Sequence, residues 1–197
     1  MTINPKGEII DHTIAETVIC VNRRMTYTSV AKILEEQDEA EMEKYEELVP
    51  MFREMEKLAA VLRDNRKKRG SIDFNFAESK ILLNEKGEPV EIKPYDRNVA
   101  TKIIEDFMLL ANETVAQDYY WQELPFLYRT HESPDPERIQ QLAAFIANFG
   151  YGMKGIREDV HPKELQKLLA RIEDSPEESL ISRLTLRSMK QARYTVD

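Results

Sequence analysis

The sequence predicts an α+β fold, with mixed strands and a hairpin near its N-terminal half packed with several long helices. Three observations lead there. Over several long stretches apolar residues recur every three or four positions, the period of a helix buried along one stripe. Short stretches rich in β-branched residues precede and interrupt those helices. No regular strand–helix–strand alternation connects them, so α+β is favoured over α/β.

The elements follow in order. Residues 7–14 (GEIIDHTI) and 16–21 (ETVICV) read as strands. Residues 28–36 form a short helix with Val30, Ile33 and Leu34 on one side. Residues 41–68 form a long helical region whose apolar stripe runs through Tyr45, Leu48, Val49, Phe52, Met55, Leu58, Ala59 and Leu62. Pro50 marks either a kink or a helix start within it, and Gly70 stops it. Residues 71–76 alternate polar and apolar, and residues 80–83 and 89–92 flank the turn 84–87 as a hairpin.

Residues 97–121 form a second long helix, apolar through Ile103, Ile104, Phe107, Met108 and Leu110 and expected to be buried on most sides. Residues 123–131 read as a loop and short strand. A third long helix opens with Ser133 or Asp135 as cap and a proline in its first turn, runs to Asn148, and ends at Gly150. Two more helices open at His161-Pro162 and near Ser175-Pro176, the latter with Ser175 as cap. No repeat or linker divides the 197 residues, so residues 1–197 are treated as part of one domain.

Composition narrows the function classes. The formal net charge is −8, which counts against a self-sufficient nucleic-acid binder with a basic footprint. The charge is uneven: residues 35–47 hold eight acids and one lysine, a pattern that coats a solvated helix face, whereas residues 63–69 (RDNRKKR) are basic. That basic run either completes a helix C-terminus or meets phosphate. The apolar runs fall well short of the roughly 20 residues that span a bilayer. The N-terminus lacks an apolar signal segment, and a cytoplasmic location is the default expectation. Cys20 is the one cysteine, and its apolar surroundings predict a small buried side chain on a strand.

Several chemistries find no pattern. There is no Gly-rich phosphate loop, no G-x-S-x-G, and no D-x-D acidic cluster. His12, His131 and His161 lie far apart and fit no metal spacing, so no metal ligand is assigned. From residues alone the reading stops at an acidic α+β domain.

Five motifs carry it further: RMTYTSV (24–30), RGSIDF (69–74), IIEDFMLLAN (103–112), YRTHE (128–132) and LRSMKQARY (186–194). In this order and spacing they resemble the RNB catalytic domain of the ribonuclease II/ribonuclease R family, nearer the ribonuclease R branch. The likeness covers essentially the whole chain. It implies a partial RNB-type catalytic domain, the central part of an enzyme that removes nucleotides processively from a single-stranded RNA 3′ end as 5′-monophosphates. In such enzymes an aspartate cluster holds magnesium, which activates water and steadies charge on the phosphate. That cluster would lie before Met1, an arginine segment after Asp197, and cold-shock and S1 domains elsewhere. The expectations are therefore Mg2+ in a longer parent, none bound here, an inactive isolated chain, and self-association through apolar edges. The alternative is an RNB-like remnant that binds without catalysis.

The resemblance also assigns residues. Tyr27 matches a tyrosine that contacts the nucleotide at the cleavage site; the plainer alternative is a strand-end tyrosine bonded to a neighbour. Phe74 matches an aromatic that clamps terminal bases; otherwise it packs in a core with Ile72 and Phe76. Glu105 matches an acid that helps tell ribose from deoxyribose, since a carboxylate accepts from a 2′-hydroxyl that DNA lacks. Its alternative is a helix-surface pair with Lys102. Tyr27 and Glu105 are thus the catalytic candidates, and both join Phe74, Arg129 and His131 as RNA-binding candidates. Arg129 and His131 either reach phosphate or brace the fold. Asn112 lies near the face of Glu105, and Arg187, Lys190 and Gln191 are placed on the final helix as structural support.

Overall fold

The computed structural model describes residues 1–74, 76, 79–94, 97–154 and 160–196. The chain divides into two compact units: Met1–Asn65 with Phe76–Asp118, and Arg66–Asn75 with Tyr119–Asp197. Helices and small antiparallel ribbons make up both, as an α+β reading requires.

The first unit opens with a tight ribbon, β1 (Thr2–Ile3) against β2 (Ile9–Asp11). Beyond it residues 13–24 form no strand, against the expectation for residues 16–21. The β-branched side chains are present, but a strand also needs a ladder partner for its backbone groups, and the described residues supply none. Val18 and Ile19 are consequently exposed, and so is Cys20, which corrects its expected burial.

Helix α1 (Tyr27–Ala31) continues through a π-helical turn, Lys32–Glu36. The long helical stretch then divides in two. Helix α2 (Glu39–Lys44) is capped by Asp38, whose carboxylate accepts from the Glu41 N–H at 2.9 Å. Tyr45 leaves helical geometry at φ −123°, ψ 31°, a 3-10 turn follows over Glu46–Leu48, and α3 runs from Val49 to Arg69. The break puts Pro50 at the second residue of α3, where its missing N–H costs no helical hydrogen bond. Ile33, Val49 and Phe52 form the core here, with Met25, Leu34, Tyr45 and Met55 packed around them.

The hairpin β3 (Ser79–Leu83) and β4 (Pro89–Pro94) pairs Ile81 with Ile92 across the strands. Its apolar side chains Ile81, Leu83, Val90 and Ile92 are all exposed. Helix α4 spans Val99–Trp121. It is not buried on most sides: Ile104 and Met108 face solvent, while polar Asp106 and Thr114 are buried. Among the described residues no helix is long and apolar enough to cross a membrane.

The second unit is built on three amphipathic helices, α5 (Pro136–Ala147), α6 (Pro162–Ile172) and α7 (Glu178–Ser188). Ile139, Leu142 and Ile146 of α5, Leu165, Leu168 and Ile172 of α6, and Ile181 of α7 close one core. Asp135 and His161 cap α5 and α6 by accepting from the N–H two residues on. Ser175 does not cap α7: that helix begins at Glu178, and its cap residue Glu177 makes no side-chain bond. Instead Asp174, at φ 60°, donates its N–H to the Glu178 carboxylate.

Gly70 ends α3 at φ 106°. Beyond it residues 71–74 and 76 form no strand, and Asn75 lies outside the described residues. Ile72 packs on the helical core instead, and the Gln166 side-chain amide donates to the Lys67 and Ser71 carbonyls at 2.9 Å each. The ribbon β5 (Tyr128–Thr130) with β6 (Arg193–Thr195) completes the unit. Helix α7 ends at Ser188, so Lys190 and Gln191 lie past it, between α7 and β6, and not on the final helix as the sequence suggested.

Candidate nucleic-acid interface

In the first unit, Thr26 caps α1, its hydroxyl accepting from the Ser29 N–H at 3.2 Å. Tyr27 is thereby the first residue of the helix, 46% exposed, and not at a strand end. Helix α4 is capped twice. Asn98 accepts from the Thr101 N–H at 3.0 Å, and the Glu35 carboxylate accepts from the Val99 N–H at 2.7 Å. The second bond ties the π-helical turn that continues from Tyr27 to the start of α4, a contact across 64 residues.

Two turns into α4 stand Glu105 and Asp106, whose surroundings are unlike. Glu105 is half-buried, and both its oxygens accept from one nitrogen of Arg97, at 3.1 and 3.0 Å. Arg97, not Lys102, is its partner. A carboxylate so held is oriented yet keeps lone pairs open to another donor. Asp106 turns inward, is 3% exposed, and pairs with Arg63 of α3 at 2.5 Å. His12 and Asp118 add a further contact at 3.1 Å. Asn112, expected near Glu105, is exposed on α4.

The second unit carries the other candidates. Phe74 is half-buried in the segment after Gly70. Arg129 is exposed at the centre of β5, directly opposite exposed Tyr194 on β6, and His131 is exposed just past the strand. Beside them Glu132 accepts from Lys190 at 3.1 Å and from Arg193 at 2.9 Å. The hydrogen bond from Lys190, then the charges of Arg193 and Lys190, hold its carboxyl below the ordinary range. Tyr27 and Glu105 thus share one unit, while Phe74, Arg129 and His131 share the other.

Sequence reasoning missed Arg97, Glu35 and the Arg63–Asp106 pair. Only a carboxylate within eight residues hinted at Arg97; nothing local hinted at the others. Among the described residues no three His, Cys, Asp or Glu side chains gather to hold a metal ion.

The model of the RNB domain family matches residues 1–197. The chain is 41% identical to Ribonuclease R 1 of Lactococcus lactis over 195 residues, 99% of this chain and 24% of that protein. It is 41% identical to Ribonuclease R of Thermotoga maritima over 196 residues, 99% of this chain and 27% of that protein. The chain therefore spans about a quarter of the length of these relatives. Among solved structures it is similar to Mycoplasma genitalium RNase R in complex with ribose-methylated single-stranded RNA, at TM-score 0.76 and 25% identity, over 87% of this chain and 26% of that one. The same protein in complex with double-stranded RNA matches equally well, at TM-score 0.76, 25% identity, and 87% of this chain against 30% of that one. With residues 1–197 all matched by the family model, the chain belongs to the RNB domain family.

Proposed function

We propose that this chain is the RNA-contacting middle of a ribonuclease R-type exoribonuclease, which degrades single-stranded RNA processively from its 3′ end to nucleoside 5′-monophosphates in the cytoplasm. The observation that carries this reading is the family match over all 197 residues, with 41% identity to a ribonuclease R over nearly the whole chain.

The roles follow from what each side chain offers. Tyr27, exposed at a helix start, presents a ring and hydroxyl to a nucleotide. Glu105 accepts from a ribose hydroxyl while Arg97 holds it in position. Phe74 stacks on terminal bases, and Arg129 and His131 face phosphate. Magnesium would supply water activation and charge stabilisation in the longer enzyme. The reading carries with it the expectation that the isolated chain releases no nucleotide.

The test incubates this chain with 3′-tailed single-stranded RNA and magnesium, following nucleotide release and binding separately. The expected result is weak binding, reduced by Phe74→Ala, with no release. Release of mononucleotides would overturn the inactivity of the isolated chain. Binding without release, even by the full-length parent, would leave the non-catalytic module as the better description.

A further inference from the structure

The second unit holds a continuous run of aromatic rings. Tyr119 and Phe126 lie 4.7 Å apart between centroids, Phe126 meets Tyr128 edge-on at 5.3 Å, Tyr128 meets Tyr120 at 6.4 Å, and Tyr120 meets Trp121 at 5.2 Å and 77°. The inner end is anchored: Tyr119, Phe126 and Tyr128 are half-buried. The outer end emerges into solvent, with Tyr120 59% and Trp121 73% exposed. Rings locked edge-to-face against one another lose little freedom when a flat ligand stacks on the outermost of them.

The β5–β6 ribbon that carries Tyr128 has a positive excess, against the trend of a chain with net charge −8. Strand alternation puts Arg193 on the ribbon face of Tyr128, since it pairs with Thr130, two residues along β5. Arg129 stands on the opposite face and makes no ion pair among the described residues. Lys190 and Arg193 share the single carboxylate of Glu132, which leaves that cluster a positive excess. Exposed rings beside cations match the two demands of a single nucleic-acid strand: a π-face for bases and a counter-charge for phosphates. A protein partner would also use Trp and Tyr, but the cationic ribbon favours the polyanion.

We infer that Tyr120 and Trp121, with Arg193 of β6, form a base-stacking site for single-stranded RNA that is additional to Tyr27, Phe74 and Glu105. The site rests on the reading of this chain as RNA-contacting, and it deepens that reading by adding a second place where the strand is held. It does not discriminate bases, because every base offers a π-face.

Trp121 is the one tryptophan in the chain, so its emission reports this site alone. The experiment titrates the 197-residue chain with a non-fluorescent single-stranded oligoadenylate at low salt. Indole emission is read beside the anisotropy of a dye-labelled copy of the same RNA. The expected result is saturable quenching that tracks the anisotropy. Tyr120→Ala and Trp121→Ala should each weaken the anisotropy-measured affinity by about five- to a hundredfold. Arg193→Ala should lower the salt slope by about 0.7. RNA binding that is sensitive to Phe74→Ala but leaves Trp121 emission unmoved would overturn this site while keeping the proposed function. Emission that follows chain concentration and ignores RNA would mean a second copy covers the face, and would overturn it too. No RNA binding under any salt condition would sink this inference and the proposed RNA contact together.

Discussion

Asp106 lies buried beneath the surface of α4 and holds the Arg63 guanidinium of α3, a side chain 43 residues away. Its neighbour Glu105 faces outward to Arg97. One residue of helical rotation separates a carboxylate that braces the fold from one available to a ligand.

Removing one partner of a buried pair strands the other. Asp106→Ala should therefore destabilise the chain by about 3 kcal/mol, the low end for such pairs because Arg63 retains some solvent contact. Urea unfolding measures this. A loss below about 1 kcal/mol would place the pair with ordinary surface bridges.

Glu105→Gln keeps the shape and removes the charge. If Glu105 reads the ribose, the preference of the chain for RNA over the same sequence of DNA should fall by about tenfold, the worth of one hydrogen bond to a charged acceptor. Competition binding with matched oligonucleotides gives the ratio. An unchanged ratio would remove Glu105 from sugar recognition.

Glu132 gives the ribbon a pH dependence. Its folded carboxyl lies below the ordinary value of 4.5, so its contribution is full above that value and is lost as pH falls through the lower folded value. Amide exchange at Thr130 and Arg193 should quicken below pH 4.5 in the native chain. In Glu132→Gln the rates, corrected for intrinsic exchange, should show no such step.

Gly70 meets two constraints at once. Its φ of 106° is poorly suited to other residues, and an added Cβ would stand 2.8 Å from the Lys163 Cγ. Gly70→Ala should lower stability by about 1–3 kcal/mol. Pairing it with Lys163→Ala should recover the steric share and leave the conformational share, so a complete rescue would argue against backbone strain.

The hairpin face of Ile81, Val90 and Ile92 is apolar and exposed. Such a face promotes association between copies. Sedimentation should show mass rising with concentration, and Ile92→Lys should suppress it. A concentration-independent monomer would contradict the expected self-association.

What the sequence determined by itself was local. The stripes of α3, α5 and α6, a cap at Ser133 or Asp135, a helix opening at His161-Pro162, the stop at Gly70 and the turn of the β3–β4 hairpin each depend on residues a few positions apart. The motif order, a property of the chain alone, pointed to the RNB family. Tertiary structure decided what depends on distant partners. Residues 16–21 have strand composition but no described ladder partner, so Cys20 is exposed. Residues 193–195 become β6 because β5, more than sixty residues earlier, offers them a ladder. Side by side in sequence, Glu105 and Asp106 look alike. Only the packing of α4 against Arg63 turns one inward and leaves the other outside, paired with Arg97.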